Sequence, residues 1–279
     1  MSSSDTAGTS ATPSAPHDAP SAPHDAPSAP STPHDAPSAP STPHDAPSAP
    51  SAPRGARARA RIEVTEAIKS EARRQLAVDG AAKLSLRAVA RELGMVSSAL
   101  YRYFPSRDDL LTALIIDAYD SLGEAAETAH DAVADAGPVR RWTAVCEAVR
   151  AWALAHPHEY ALIYGSPVPG YTAPQATVPP AARVGHLLIR IVRDAHRGKG
   201  VARTPLPAGL RAEAERIAAD LAPDLPPEVV AVLVAAWAQL FGLVGFEVFG
   251  QFNRVVEDRE PFFRHAVAQL AHSVGLVHK

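Results

Sequence analysis

The residue types best suited to chemistry lie in one run, Ser85 to Arg107, which reads S-L-R-A-V-A-R-E-L-G-M-V-S-S-A-L-Y-R-Y-F-P-S-R. Two short segments with apolar stripes meet at Gly94, and this predicts two helices joined by a tight turn, the helix-turn-helix arrangement. The second helix would begin with Ser97, Ser98 and Ala99. A helix that enters the major groove of DNA needs short side chains at that end.

The rest of the run supplies groups that bind nucleic acid. Tyr101 and Tyr103 each combine a flat apolar body with a hydroxyl that can reach a phosphate or a base. Arg87, Arg102 and Arg107 supply positive charge for the flanking phosphates. The alternative interpretation is a small helical hairpin with ordinary surface charges.

Helical periodicity positions these residues. A first helix is predicted before the run, because Gly80 follows four apolar residues spaced four apart, namely Val64, Ile68, Ala72 and Leu76. Ser85, Ser97 and Ser106 are predicted to cap the next three helices. Pro105 stops the third helix, because proline cannot continue the hydrogen-bond ladder.

Beyond residue 136 the helical pattern persists to the end of the chain. Helices are predicted over residues 138–155, 157–164, 179–196, 208–221, 227–252 and 261–276, with a Pro- and Gly-rich loop over 165–178 and a linker over 198–207. No stretch alternates like a strand, so the predicted fold class is all-α.

Three regions are predicted. Residues 1–53 repeat the decamer A-P-S-A-P-S-T-P-H-D and lack large apolar residues after Met1, which is typical of a disordered tail. Its His-Asp pairs are interpreted as part of a repeated spacer, with weak metal binding as the alternative. Residues 54–111 would form a three-helix DNA-binding domain with its helix-turn-helix at about 85–104. Residues 112–279 would form a second, all-helical domain.

The charge distribution favours nucleic acid more than the total does. The chain carries a net charge of −3, yet residues 54–110 hold twelve basic and seven acidic residues. Arg54, Arg57, Arg59 and Arg61 form a basic arm at the start of this segment. The arm would reach along the duplex or into the minor groove, or else serve as a solubilising linker.

Residues 62–111 resemble the N-terminal domain of the TetR/AcrR family of bacterial regulators. The resemblance is carried by Gly80, by the L-S-L-R-A-V-A-R-E-L-G stretch ending at Gly94, and by L-Y-R-Y-F-P-S-R-D-D-L-L from Leu100 to Leu111. It implies a homodimeric, all-α regulator, by default a repressor, that a small molecule releases from its operator. It also implies base and phosphate contacts at Arg87, Ser97, Ser98, Ala99, Tyr101, Tyr103 and Arg107. Gln75 and the Met95-Val96 pair depart from the family pattern.

The C-terminal half resembles the WHG-type domain of one branch of this family, in which Trp237 and Gly242 fit and Phe241 replaces the histidine. The family relationship implies a dimer interface built from the helices at 227–252 and 261–276. Candidates for lining the ligand pocket, each with an ordinary core position as the alternative, are Trp142, Trp152, His158, Tyr160, Tyr164, Tyr171 and Trp237.

Other functional classes find less support. The sequence lacks a phosphate-binding Gly-rich loop, H-E-x-x-H, C-x-x-C and Gly-x-Ser-x-Gly, so neither an enzyme nor a cofactor is expected. One cysteine, Cys146, in an apolar helical pattern predicts a buried thiol and fits the reducing cytoplasm. The apolar stretch 229–246 is interpreted as a bundle or interface helix rather than a membrane span. The rival non-enzymatic function is a scaffold that binds a partner through its Pro-rich tail and no longer reads DNA sequence.

Overall fold

The computed structural model describes residues 54–198, 201–202 and 205–276, so the predicted tail at 1–53 lies outside it. Within these ranges the chain forms helices and no strand, which confirms the all-α prediction. The helices are α1 (Arg54–Asp79), α2 (Leu86–Glu92), α3 (Ser97–Leu100), α4 (Arg107–Asp131), α5 (Pro138–Ala155), α6 (Pro157–Tyr164), α7 (Val178–Arg197), α8 (Arg211–Leu221), α9 (Pro227–Val248) and α10 (Arg259–Ser273).

Proline and serine set several of these starting points. Pro138, Pro157 and Pro227 each occupy the first turn of their helix, where the missing N–H is not needed. Ser85 caps α2 by accepting a hydrogen bond from the Ala88 N–H, and Ser106 caps α4 in the same way. The bounds predicted for α5 and α6 are confirmed. They could be predicted because helix-opening prolines act on the residues next to them.

Three predicted ranges in the C-terminal half were wrong by two or more residues at one end or at both. The helix predicted to run to residue 252 ends at Val248, because Gly250 takes a φ of 80° and turns the chain. The helix predicted from residue 208 begins with one tighter turn, Ala208–Leu210, before α8. The last helix spans Arg259–Ser273 rather than 261–276.

The basic arm is helical and is not a linker separate from α1. It forms the first two turns of α1, which runs unbroken from Arg54 to Asp79. Alanines alternate with the arginines here and favour helix.

The described residues bury two apolar cores. The N-terminal core gathers α1, α2, α3 and the start of α4, with Ile68, Val89, Leu100 and Leu110 fully buried. The C-terminal core is built from the rest of α4 with α5, α7, α9 and α10. Because α4 contributes to both cores, a shift of this helix reaches the helix-turn-helix directly.

Helix α9 is the most apolar helix of the described chain. By length and composition alone it could cross a membrane, with 33% of its most apolar window buried. It packs against α5, α8 and α10, as a core helix of a soluble bundle also would. Length and composition are therefore weak evidence for a span.

Candidate nucleic-acid interface and ligand cavities

The turn between α2 and α3 depends on Gly94. Its φ of 64° lies in the left-handed region, which costs side-chain-bearing residues about 1–2 kcal/mol. The Met95 N–H donates to the Ala90 carbonyl at 2.8 Å and closes the turn. Helix α3 thus begins immediately after the turn and projects its first residues outward.

Helix α3 separates buried from exposed residues sharply. Leu100 is fully buried in the N-terminal core, whereas Ser97 and Ser98 are exposed and Ala99 is half-buried. The predicted capping role of Ser97 was wrong, because Val96 holds the cap position and no side chain caps α3. Ser97 is instead the first helical residue, so its hydroxyl is free of capping.

Two further side chains, those of Val96 and Arg61, lie at this surface. The Val96 side chain is 69% exposed directly before α3, although an apolar side chain there gains nothing from water. The Arg61 guanidinium lies 5.1 Å from the centre of the Tyr103 ring. Its Nη2 also donates to the Arg102 carbonyl at 3.5 Å. The basic-arm pattern was the signal for Arg61, and the apolar turn was the signal for Val96.

The aromatic and basic residues that were predicted to contact DNA differ in how exposed they are. Tyr101 is 42% exposed and Arg87 and Arg102 are exposed, whereas Tyr103 is half-buried. Arg107 is half-buried as well, and its Nη2 donates to the Ala81 carbonyl at 2.8 Å.

Arg107 therefore fastens the start of α4 to the chain between α1 and α2. Its Nε also donates to the Leu84 carbonyl at 3.2 Å. Next to it lies an open cleft of about 440 Å³ lined by Arg87, Tyr101 and Ser106 together with Arg107. The structure thus brings three of the predicted DNA-contacting residues to one cleft.

The seven pocket candidates are not brought together. Trp142, Trp152 and Tyr160 lie in the C-terminal core, and none of them lines a cavity described below. The Trp152 indole N–H donates to the Ser121 hydroxyl at 2.9 Å, and the Tyr160 hydroxyl donates to the Phe241 carbonyl at 2.9 Å. These contacts give the two polar tips structural partners.

The other four candidates line three separate cavities. Tyr171 lines a cavity of about 550 Å³ between α4, α6, α7 and the loop before α7. Trp237 lines a cavity of about 220 Å³ between α7, α8 and α9. His158 and Tyr164 line an open cavity of about 820 Å³ beside the end of α1.

The cavity that contains Tyr171, here called the loop cavity, is walled by apolar residues and hydroxyls. Ile115, Leu162, Val168 and Val178 contribute apolar surface. The hydroxyl groups belong to Tyr119, Ser166, Tyr171 and Thr177, and no charged residue lines the cavity. Burial raises the pKa of the Tyr119 phenol, so this hydroxyl remains a neutral donor. Such a wall suits a neutral molecule with a few polar groups.

The roof of the loop cavity also touches the DNA-binding half. Val168 and Tyr171 pack against the N-terminal core. The Tyr171 hydroxyl lies 2.9 Å from the Thr112 hydroxyl on α4. One loop therefore contacts both the cavity and the helix-turn-helix core.

A second connection between the halves is ionic. Arg73 of α1 donates to Asp117 of α4 at 2.6 Å and to Glu159 of α6 at 3.1 Å. Lys69, one turn earlier, also reaches Asp117, at 2.9 Å. Charges on three helices thus hold α1 against α4 and α6.

Two further predictions concern the C-terminal core. Cys146 is fully buried, as predicted, and desolvation raises the pKa of its thiol, so the thiol stays protonated and unreactive. Phe241, which replaces the histidine of the WHG pattern, stacks on Tyr164 with ring centres 4.2 Å apart. An aromatic stack occupies the position at which a titratable ring was expected.

Comparison with known families and proteins agrees with this arrangement. Residues 68–114 match the family described as bacterial regulatory proteins, tetR family. Residues 142–270 match the tetracyclin repressor-like C-terminal domain. The first match includes the helix-turn-helix, and the second includes most of the C-terminal core.

The chain is similar to named regulators over most of its length. It is 40% identical over 207 residues to the HTH-type transcriptional regulator Rv1816 of Mycobacterium tuberculosis (strain H37Rv), a match that covers 71% of this chain and 86% of that protein. The regulator Mb1846 of Mycobacterium bovis matches to the same extent.

Solved structures agree on the fold. The crystal structure of the regulatory protein SCO4313 matches with a TM-score of 0.64 at 33% identity, over 79% of this chain and all of that one. A protein of unknown function from Rhodococcus sp. RHA1 matches with a TM-score of 0.56 at 25% identity, over 76% of this chain and 95% of that one. The exposed start of α3, the two matching domains and the 40% identity to a named regulator lead to one conclusion: this chain belongs to the TetR family of DNA-binding transcriptional regulators, a family of non-enzymes.

Proposed function

We propose that this protein is a homodimeric repressor that reads a palindromic operator with α3 and leaves it when a small neutral molecule binds. The observation that carries the DNA-reading part is the exposure of Ser97, Ser98 and Tyr101 above the buried Leu100. Short side chains allow the backbone of α3 to approach base edges, and Arg87 and Arg102 bind flanking phosphates. Ala99 and Tyr103 complete the reading surface, while Arg107 acts mainly by holding the start of α4.

The exposed Val96 extends this surface. A branched apolar side chain at the start of a reading helix fits the methyl group of thymine, which is the apolar feature of the major groove. Each good base contact discriminates by about 1–3 kcal/mol.

The test of DNA reading is binding to duplex DNA from upstream of the gene for this protein, with competitor DNA present. We expect binding that resists competitor and protects two half-sites about 34–36 Å apart or a multiple of that spacing. Ser98→Glu should abolish this binding, because a carboxylate on α3 faces phosphates. Ser70→Glu is the matched control, since Ser70 is exposed about 200° around α1 from the buried Ile68. Competitor-sensitive binding by the wild type would refute the proposal.

A second copy of the chain is the proposed partner of α9 and α10. Large apolar side chains remain exposed where α9 ends and α10 begins: Phe246, Phe249 and Phe262 are each at least 41% exposed. The Phe252 ring contacts the rings of both Phe246 and Phe262, which makes this apolar surface continuous. Contiguous apolar surface of this kind marks an interface. A homodimer would bury it, and a soluble dimer in the cytoplasm also accounts for the apolar character of α9 without a membrane.

Sedimentation or light scattering tests the dimer. Phe246→Glu should produce a monomer, because the new charge would be buried against the second copy. Ile62→Glu is the control, since Ile62 is 62% exposed near the start of α1, at the other end of this helix from the cavity that Leu76 and Phe249 line. A wild-type monomer at micromolar concentration would contradict the proposed interface.

The loop cavity is the proposed effector site. Its volume of about 550 Å³ falls in the usual range for small-molecule sites, roughly 300–1,000 Å³. Its hydroxyls and apolar walls favour an uncharged, mainly apolar ligand with a hydroxyl or carbonyl group, because a carboxylate would be desolvated without a cation nearby. Binding would move the loop, Tyr171 and α4, and preference for the moved state weakens DNA binding by linkage.

A pair of probes separates this site from non-specific binding. We expect 1-naphthol to raise the melting temperature and to weaken operator binding. We expect neither effect from 1-naphthoate, which carries a charged carboxylate on the same ring system. Ala173→Trp should remove the naphthol effect by filling the cavity, whereas Ala176→Trp should not, because Ala173 lines the cavity and Ala176 does not. Equal responses to both probes would contradict the assignment.

A further inference from the structure

The basic arm is the part of α1 that lies outside the N-terminal apolar core. Residues 55–63 are all exposed, and Ile68 is the first fully buried residue of the helix. The arm includes no acid, since Glu63 is the first acidic residue after it. Among the residues that the structure describes, no ion pair involves Arg57, Arg59 or Arg61.

The position of this charge is unfavourable for the helix. Cations at a helix N-terminus oppose the macrodipole, and like charges four residues apart repel each other. The first turn of α1 contains no acid to offset this, and Arg57 and Arg61 are spaced four apart. A local arrangement that weakens its own helix indicates a role for the charge outside the fold.

The helical register divides the arginines between two faces. At about 100° per residue, Arg57 and Arg61 lie roughly 40° apart, and Arg59 lies about 160° from each of them. Arg61 contacts the Tyr103 ring and the Arg102 carbonyl, so its face continues the surface at the end of α3. The Arg59 Nε donates instead to the Gly55 carbonyl of its own helix at 3.3 Å.

We propose that the basic arm is a second DNA-binding element, in which Arg57 and Arg61 bind the phosphate backbone beside the half-site read by α3. This inference rests on the proposed DNA-binding function. The exposed residues 55–63 span about 13 Å, which corresponds to the rise of roughly four base pairs along the axis of the duplex. The small side chains of Ala56, Ala58 and Ala60 leave room for the backbone of the duplex to approach.

Phosphate binding has a specific signature. Each neutralised phosphate adds about 0.9 to the slope of log K against log salt concentration. Arg57→Ala in both subunits should therefore lower the slope by about 1.8 and weaken binding to operator and random-sequence duplexes by the same factor. A change of base specificity is not expected, because phosphate contacts carry no sequence information.

The experiment compares wild type, Arg57→Ala and Arg59→Ala on both duplexes across salt concentrations. Arg59→Ala is the matched control: it removes the same charge two residues away, on the opposite face, and should leave the slope near the wild-type value. Circular dichroism and melting temperature should show that neither variant is less stable than the wild type, because both arginines are exposed and neither forms an ion pair within the described residues. The inference is overturned if Arg57→Ala keeps the wild-type slope, or if both variants lower it equally.

The random-sequence duplex separates this result from the operator proposal. Salt-dependent binding without preference for the operator would refute the operator proposal. The difference in slope between Arg57→Ala and Arg59→Ala would still show whether the basic arm binds phosphates. Absence of wild-type binding to either duplex at low salt would overturn both.

Discussion

The Tyr171 hydroxyl lies 2.9 Å from the Thr112 hydroxyl, and this hydrogen bond ties the roof of the loop cavity to α4. Thr112 lies two residues before Leu114 of the N-terminal core. A ligand that lifts the loop therefore acts on the helix that the helix-turn-helix rests on.

Removing this hydrogen bond should weaken the communication between cavity and DNA. Tyr171→Phe leaves the part-buried Thr112 hydroxyl without its partner, and we expect a loss of about 1 kcal/mol in unfolding free energy. The effect of 1-naphthol on operator affinity should also shrink. Tyr119→Phe is the control, because Tyr119 lines the same cavity but contacts the Ile163 carbonyl, only at 3.4 Å. Equal naphthol responses in the two variants would contradict the role of the Tyr171–Thr112 bond.

Arg73 should matter more than its neighbour Arg74. Arg73→Ala breaks ion pairs with two other helices and leaves the part-buried Asp117 and Glu159 with less compensation. We expect a loss of about 1–2 kcal/mol. Arg74→Ala breaks a pair with Glu71 one turn away on the same helix. Because Gln75 still donates a hydrogen bond to the Glu71 carboxylate, we expect a smaller loss of about 0.2–0.5 kcal/mol. Urea denaturation measures the free energy of unfolding of both variants. A loss in Arg74→Ala as large as that in Arg73→Ala would show that the ion pairs between helices add no stability of their own.

Arg150 should be essential to the C-terminal core. It donates two hydrogen bonds of 2.6 Å to Glu247, whose side chain is 4% exposed. Arg150→Met leaves that carboxylate buried and unpaired, at an expected loss of about 3–5 kcal/mol, and adding Glu247→Leu should restore much of it. Arg264→Met, which removes exposed pairs with Glu147 and Glu260, should lose less than about 1 kcal/mol.

These unfolding measurements need one constant protein concentration, because the proposed dimerisation would add to apparent stability. If the double variant is no more stable than Arg150→Met, then the unpaired charge is not the cause of the loss.

Alanine at two glycines should have opposite effects. Gly94→Ala forces a side chain into the left-handed region, and we expect a loss of about 1–2 kcal/mol with weaker operator binding. Gly185→Ala, inside α7 where an added Cβ meets nothing within 4 Å, should gain about 0.5–1 kcal/mol. Thermal unfolding shows whether each variant is more or less stable than the wild type. A stabilised Gly94→Ala would show that the turn tolerates a side chain.

The sequence by itself determined most helix bounds and the exposed face of α3. Capping serines, helix-opening prolines and Gly94 act on their immediate neighbours, so α2, α4, α5 and α6 could be located without knowledge of the fold. The exposure of Ser97 and Ser98 beside the buried Leu100 follows from periodicity within a single short helix. Local signals also made Ser97 look like a cap, although Val96 takes that place.

Only the tertiary structure decided which polar and aromatic residues meet. Arg73 and Glu159 are 86 positions apart, and Arg150 and Glu247 are 97 apart, so no local pattern connects them. The same holds for the pocket candidates: large aromatics at helical spacing look alike in sequence, yet Trp142 fills the core and Tyr171 lines a cavity. Their surroundings depend on how α4 to α10 pack, because burial is a property of neighbouring helices rather than of the helix that carries the residue.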